Sequence, residues 1–360
     1  MATVDVTVMG AGIFGLSVAW ACAARGARVR VIDPDGPGAG ASGGLVGALA
    51  PHAPEAWTET KAFQLESLLA AGAFWRAVAE AGGGDPGHAR TGRLQPVPDA
   101  AALARARERI GCAKALWGDA AEWEVVQATG SWAPASATGW LVRDTLSARL
   151  HPRRALAALV AALTAAGGAV LTAGEARGAV VWATGVRGLD ALSRDVGAPV
   201  GAAVKGQAAT LGFDAGPDAP QIYAPGLHVV PHADGTVAVG STAEREFAPG
   251  SETTTDERLD TVIEAARAAV PALAGAPVLE RWAGLRPRAR SRAPMLGPWP
   301  GRPGHFVANG GFKIGFGMAP GVAAAMADLV LEGRRSYPEA FDVAASLTSS
   351  ASARSASINS

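Results

Sequence analysis

Only two cysteines, two tyrosines and no block of like charge occur in the 360 residues. Each shortage narrows the reading. Cys22 and Cys112 are too few for a secreted disulfide framework or a structural zinc site, so a reducing cytoplasm is the expected compartment and no metal is expected. The 32 basic side chains balance 32 acidic ones, which excludes the basic face a nucleic-acid binder needs, and any charged ligand must meet a local cluster. No uncharged apolar run reaches the ~20 residues that cross a bilayer. Residues 315–331 come nearest, but they are rich in Gly and Ala and are interrupted by Pro320 and Asp328, so no transmembrane span is expected. No charged leader precedes an apolar segment at the N-terminus, where Val4 to Met9 is already β-branched, so no signal peptide is expected either.

What is abundant is glycine. The 46 glycines and 24 prolines make about a fifth of the chain, yet 49% of residues are hydrophobic, which is a folded composition. The length suggests two domains. Periodicity predicts helices over about 13–25, 59–82, 99–117, 152–166, 255–270 and 320–333, and strands at 4–9, 27–33, 179–183, 204–211, 227–231, 236–240 and 305–308. Asp234-Gly235 supplies a tight hairpin turn between two of these strands. The order implies an α/β fold: a Rossmann-like dinucleotide-binding domain carrying an inserted, mostly antiparallel β-sheet domain. The expected division gives 1–84, 144–200 and 284–343 to the nucleotide domain and 85–143 and 201–283 to the inserted one. Residues 344–360, rich in Ser and Ala, read as a disordered tail.

The informative glycines cluster. Gly10-Ala-Gly12-Ile13-Phe14-Gly15 follows a strand and opens a helix, and Asp33 ends the next strand where an acid can meet ribose hydroxyls. Gly10 permits the turn, Gly12 lets backbone approach a pyrophosphate, and Gly15 allows helix to pack on strand. After Pro34 comes a long small-residue loop, with Ala41-Ser42 at its centre and Gly47, Ala48 and Leu49 near its end, which allows close backbone approach to a flat ring or a second phosphate. A third loop, Asn309 to Pro320, feeds another helix.

These segments, with Thr91-Gly-Arg-Leu94, His151-Pro152, Val181-Trp-Ala-Thr-Gly185, Lys205-Gly-Gln207, His228 to Thr242 and Ala283-Gly-Leu-Arg-Pro287, run in an order that resembles the D-amino-acid oxidase family of FAD-dependent amine oxidoreductases, and within it the bacterial glycine oxidases. The resemblance extends to about residue 340. It implies non-covalent FAD, since neither cysteine stands late in the chain, and both then read as packing residues. It implies flavin contacts from the residues above and from Ala183, Gly185, Gly311, Phe312, Lys313, Ile314, Gly315, Phe316 and Met318. It also implies hydride loss from Cα of a small amino acid (glycine, a D-amino acid or an N-methyl analogue) to flavin, giving an imine that hydrolyses to a 2-oxo acid, with O2 or another acceptor taking the electrons. A homo-oligomer is compatible with it.

An arginine fork is the natural anchor for the substrate carboxylate, and Arg286 matches the family's position. Arg288, Arg290 and Arg292 would share its strand face, and they read as a solvated basic edge. Lys313 stands where glycine oxidases carry an arginine, and His228 where many relatives carry a tyrosine. Residues 169–180 are shorter than the adenine-covering stretch of relatives. Two other readings share the fingerprint: an NAD(P)-dependent dehydrogenase, and a catalytically inactive flavin-binding partner protein.

Overall fold

A computed structural model describes residues 4–348 of the chain. The strands are β1 (Val6–Met9), β2 (Val29–Ile32), β3 (Ala48–Leu49), β4 (Arg93–Pro96), β5 (Trp123–Gln127), β6 (Trp140–Asp144), β7 (Ala148–Arg149) and β8 (Ala169–Leu171). They continue with β9 (Ala179–Trp182), β10 (Gly201–Gly212), β11 (Gln221–Ala224), β12 (Leu227–Pro231), β13 (Thr236–Gly240), β14 (Val278–Ala289), β15 (Met295–Pro298) and β16 (His305–Asn309). The helices are α1 (Ile13–Ala24), α2 (Glu59–Gly82), α3 (Ala100–Trp117), α4 (Pro152–Ala165), α5 (Gly185–Val196), α6 (Glu257–Ala269), α7 (Gly315–Glu332) and α8 (Val343–Thr348).

Two large sheets organise these elements. The first runs β15-β16-β9-β1-β2-β8 and is parallel except at β15. Val8, Val31 and Val181 are fully buried in it, beneath α1 and α7, as the continuous apolar runs of a sheet covered on both faces require. The second runs β14-β10-β13-β12-β11-β4-β6-β5 and is antiparallel except between β11 and β4. Helix α6 closes one face of it, with Leu259, Ile263 and Ala266 packed among Val237, Val239 and Leu211. The expected fold class is therefore what the chain adopts. A two-stranded sheet, β3 with β7, lies between, and Gln221 of the second sheet fastens it by donating to the carbonyls of Leu49 (3.2 Å) and Ala148 (2.9 Å).

Several expectations change. Helix α7 starts at Gly315 and runs through Pro320, which has no N–H to continue the ladder. The Ser67 hydroxyl from α2 enters the ladder there, donating to the Gly317 carbonyl (2.8 Å) and accepting from the Gly321 amide (3.0 Å). This is the one described helix long and apolar enough to cross a membrane, and its buried side chains pack in the core against α1 and α2. Helix α5 was not anticipated, because its apolar face is little more than Leu189 and Leu192. Strand β14 runs unbroken to Ala289, so the division expected at 283/284 falls inside it. The expected tail begins too early: α8 forms over 343–348, with Val343 and Ser346 buried, while 349–360 lie outside the described residues. Cys22 packs in the core, but Cys112 is exposed on α3 and is no packing residue.

One buried ion pair ties the second sheet together. Asp144, fully buried, accepts from Arg93 Nε (2.9 Å) and from the Ser147 amide (2.8 Å). Removing one partner strands the other charge, so Asp144→Ala is expected to cost about 3–5 kcal/mol. Urea denaturation measures it, and a loss below about 1 kcal/mol would contradict the assignment.

Candidate active site

Three loops converge at the carboxyl ends of β1, β9 and β16, where parallel sheets bind ligands. In the first, Gly10 takes φ +104°, and a Cβ there would stand 2.5 Å from the Ala183 carbonyl oxygen. The loops after β1 and β9 thus touch back to back. A side chain on Gly15 would strike the Gly10 carbonyl at 1.9 Å, which is why only glycine lets α1 begin here. Gly12 caps α1 without a side chain of its own. Ser42, from the short turn Ala41–Gly43, supplies the missing oxygen and accepts from the Ile13 amide at 3.0 Å. The amides of Gly12, Phe14 and Gly15 find no acceptor among the described residues.

The Asp33 carboxylate accepts from the Ala11 amide (2.7 Å) and the Asp35 amide (3.1 Å), which fixes it beside that helix end with lone pairs to spare for ribose hydroxyls. Pro34 follows it, exposed. At the second loop, Gly185 has φ +57° and its carbonyl accepts from Asn309 Nδ2 at 2.8 Å. The third loop closes over the first. A Cβ on Gly311 would lie 2.9 Å from the Phe14 ring, and one on Gly315 would lie 3.5 Å from Ile13. The amides of Gly315, Phe316 and Gly317 open α7, also with no acceptor among the described residues, while the Met318 amide returns to the Ile314 carbonyl. Gly47 sits against the Leu150 carbonyl, and Leu49 approaches Gly317.

This arrangement fits FAD. A helix N-terminus with free amides, one serine hydroxyl and an adjacent acid match a dinucleotide's pyrophosphate and ribose. A second helix N-terminus can face the electron-rich edge of a reduced flavin. The glycine-lined approaches leave room that a Cβ would fill. Two expected contacts are set apart: the side chains of Leu49 and Met318 are fully buried in the core, so those positions offer backbone only.

The three expected substrate residues also come together. Arg286 lies half-buried on β14 with its guanidinium packed on Gly206, where a Cβ would be 2.1 Å from Cζ. Its one hydrogen bond goes to the Thr242 carbonyl (3.0 Å), and no carboxylate pairs with it among the described residues. Burial lowers its pKa to about 10, against a smaller pull upward from Glu244. His228 is held neutral, its pKa brought down to about 4 by burial and then by Arg93, Lys313 and Arg286, and its Nδ1 has no partner. Burial, Arg286 and Arg288 depress Lys313 in turn. The lysine ammonium lies 5.9 Å from the centre of the Phe312 ring.

Tyr223, which the sequence pattern did not single out, and several further residues complete the surroundings. Tyr223 lies across the strand pair from His228, ring centres 4.9 Å apart, with the Arg93 guanidinium 5.9 Å above the tyrosine ring. His52, also depressed by burial, bonds Gln64 and feels Arg93. Behind Arg286, Gln207 donates to Glu244 (2.9 Å) and Asp256 (2.8 Å), and Arg258 donates to Glu244 (2.8 Å). Nothing in the spacing of Arg93 and Asp144, or of Gln207 and Glu244, marks these partners in advance. Elsewhere, His151, His232 and Asp234 bring ligand atoms within 4.8 Å of one another, beside Arg149 and Arg154.

A family model described as FAD dependent oxidoreductase, DAO, matches residues 5–329. Glycine oxidase of Pseudomonas putida is 35% identical over 109 residues, which are 30% of this chain and 29% of that protein, so the match spans under a third of the relative's length. Glycine oxidase from Geobacillus kaustophilus superposes with a TM-score of 0.83 at 21% identity, over 95% of this chain and 99% of the other. An iminodiacetate oxidase from a Chelativorans species gives 0.79 at 21% identity, over 94% and 98%. At such identities the likeness to solved structures shows the fold.

Two outcomes test this geometry. Gly206→Ala places a methyl where the Arg286 guanidinium lies, so it should retain FAD and lose most activity; full activity with FAD bound would contradict the packing. The second concerns pH. His228, His232 and His88 each titrate near 4 when folded against an ordinary 6.5. The unfolded chain therefore takes up protons first. Their contribution to stability is complete above about pH 6.5 and is lost as pH falls through about 4. The urea midpoint should fall on that descent, and His232→Gln should flatten part of the slope; a midpoint that rises with acid would refute the burial.

Proposed function

The chain belongs to the FAD dependent oxidoreductase family DAO, and from that membership we propose that it oxidises the C–N bond of a small amino acid. The observation that carries the proposal is Arg286: a half-buried guanidinium with one hydrogen bond, no carboxylate partner among the described residues, and further cations beside it. Such a group is costly to keep unless an anion completes it. The planar fork can take an α-carboxylate through two parallel bonds and so fix which way Cα faces. When bound, FAD supplies the two-electron acceptor for the hydrogen on that carbon.

The remaining residues prepare the amine. Neutral His228, with Nδ1 free, can accept a hydrogen bond from the substrate nitrogen. The positive field of Arg286, Lys313 and Arg93 disfavours an ammonium and favours the neutral amine, whose lone pair assists loss of hydride. Tyr223 packs on His228, and Thr242, fixed by the Gln207 amide (2.9 Å), holds the arginine in place. The imine would leave and hydrolyse to a 2-oxo acid, and bound FAD would pass its two electrons on to O2 or another carrier. Two free thiols fit work in the cytoplasm.

The purified protein should be yellow, and anaerobic glycine, sarcosine or a D-amino acid should bleach it. Arg286→Leu should keep the flavin absorbance while kcat/KM falls by about 3–5 kcal/mol of transition-state binding, with Arg286→Lys between. Unchanged turnover in the leucine variant would remove Arg286 from the site.

A further inference from the structure

Beyond Arg286 the cations continue. Arg288 stands two residues along β14 on the same face, about 7 Å away by strand rise. It is half-buried, and its guanidinium lies 5.4 Å from the centre of the Phe312 ring, so Arg288 and Lys313 share one aromatic platform. Burial, Arg245 and Arg292 each lower the pKa of Arg288. On its outer side lies a groove of about 310 Å3 lined by Gly201, Ala202, Arg245, Arg288, Arg290 and Arg292. Arg290 donates to the Pro199 carbonyl (3.4 Å); the guanidinium groups of Arg245, Arg288 and Arg292 make no hydrogen bond or ion pair with any described residue.

The chain has as many acids as bases, and other arginines find one, as Arg153 does with Glu280 and Arg258 with Glu244. Here none approaches. The backbone adds a second sign. Arg292 at φ +64° and Phe312 at φ +43° occupy the left-handed region that side chains avoid, and such strain persists where surroundings fix a group in position. Like charges gathered this closely repel one another until an anion joins them.

We propose that Lys313, Arg288 and the groove behind them form a second anion subsite, so that the preferred substrate is a small amino acid with two anionic groups. One carboxylate sits on Arg286. The other, a carboxylate or phosphonate on the side chain or on the nitrogen, reaches Lys313 and Arg288, a spacing that a short dicarboxylate spans. This assignment rests on the amine-oxidation reading above. It extends that reading from the anchor to the specificity.

Flavin bleaching of the holoenzyme under anaerobic conditions, with iminodiacetate and D-aspartate set against glycine and sarcosine, tests it. The dianionic substrates should have kcat/KM at least roughly tenfold above glycine, the gain expected from one charge-assisted contact. In Arg288→Ala that ratio should fall by roughly tenfold. Arg288→Lys should restore part of it, and Arg245→Ala, at an exposed position, should lower it less. Raised salt should lower the wild-type ratio too. If glycine bleaches the flavin and the ratio is near one and unmoved by Arg288→Ala, the subsite is refuted while amine oxidation stands. If no amine bleaches a stoichiometric flavin, both are refuted.

Discussion

A guanidinium with no paired counter-charge among the described residues is the constraint around which the second sheet is arranged. The nearest acid, Glu244, is engaged elsewhere: it accepts from Gln207, Thr242 and Arg258, and Lys205 lies 3.9 Å away. Glu244 therefore moderates the field at Arg286 without neutralising it. Had it reached the guanidinium, the fork would be saturated and an incoming carboxylate would have to displace a covalently tethered rival. Holding the acid one layer back keeps the arginine charged, oriented by one carbonyl, and open to a ligand.

The three residues Lys205-Gly206-Gln207 show how one strand manages both requirements. Side chains alternate along β10, so Gly206 faces the arginine while its neighbours face away. Gly206 makes room on one face. On the other, Lys205 and Gln207 build the polar floor with Glu244 and Asp256, and the Gln207 amide anchors the Thr242 hydroxyl at 2.9 Å. The carbonyl that holds Arg286 is thus itself held. Any residue larger than glycine at 206 would spend the space, and a shift of the floor would move the carbonyl.

Much of the cofactor side was legible in the sequence, because it is written locally. Gly10, Gly12, Gly15 and Asp33 lie within one strand-helix-strand unit, and their spacing alone fixes what they can approach. Helices α2 and α3 were legible from periodicity, at 59–82 and 99–117, and the structure starts them behind the caps Thr58 and Asp99. Continuity of α7 through Pro320 was not, since the group that repairs its ladder, Ser67, arrives from 250 positions away. The partners around the candidate site are equally non-local: Arg93 with Asp144, His228 with Tyr223 across a strand pair, Arg286 with Gly206. Expecting Arg286, Arg288, Arg290 and Arg292 on one strand face also failed in part. The strand ends at Ala289, so alternation carries only the first two, and the others reach the groove from the turn beyond.

The two halves of the site attract anions by different means, and the difference follows from what each must hold. On the cofactor side the positive ends come from backbone, at the starts of α1 and α7, where free amides and peptide dipoles act without any formal charge. Many weak, fixed donors suit a large ligand that stays, because each adds little and geometry does the selecting. On the side proposed for the substrate the charges are formal: Arg286, Lys313 and Arg288. A small ligand that must arrive and leave offers few atoms to grip, so each contact must be strong, and a field extending into solvent also raises its rate of encounter. These three cations lack an acid partner among the described residues, whereas other arginines are paired, as Arg28 is with Asp5, Arg154 with Asp85 and Arg93 with Asp144. Local imbalance inside overall neutrality is what lets a chain of zero net charge present a cationic cluster.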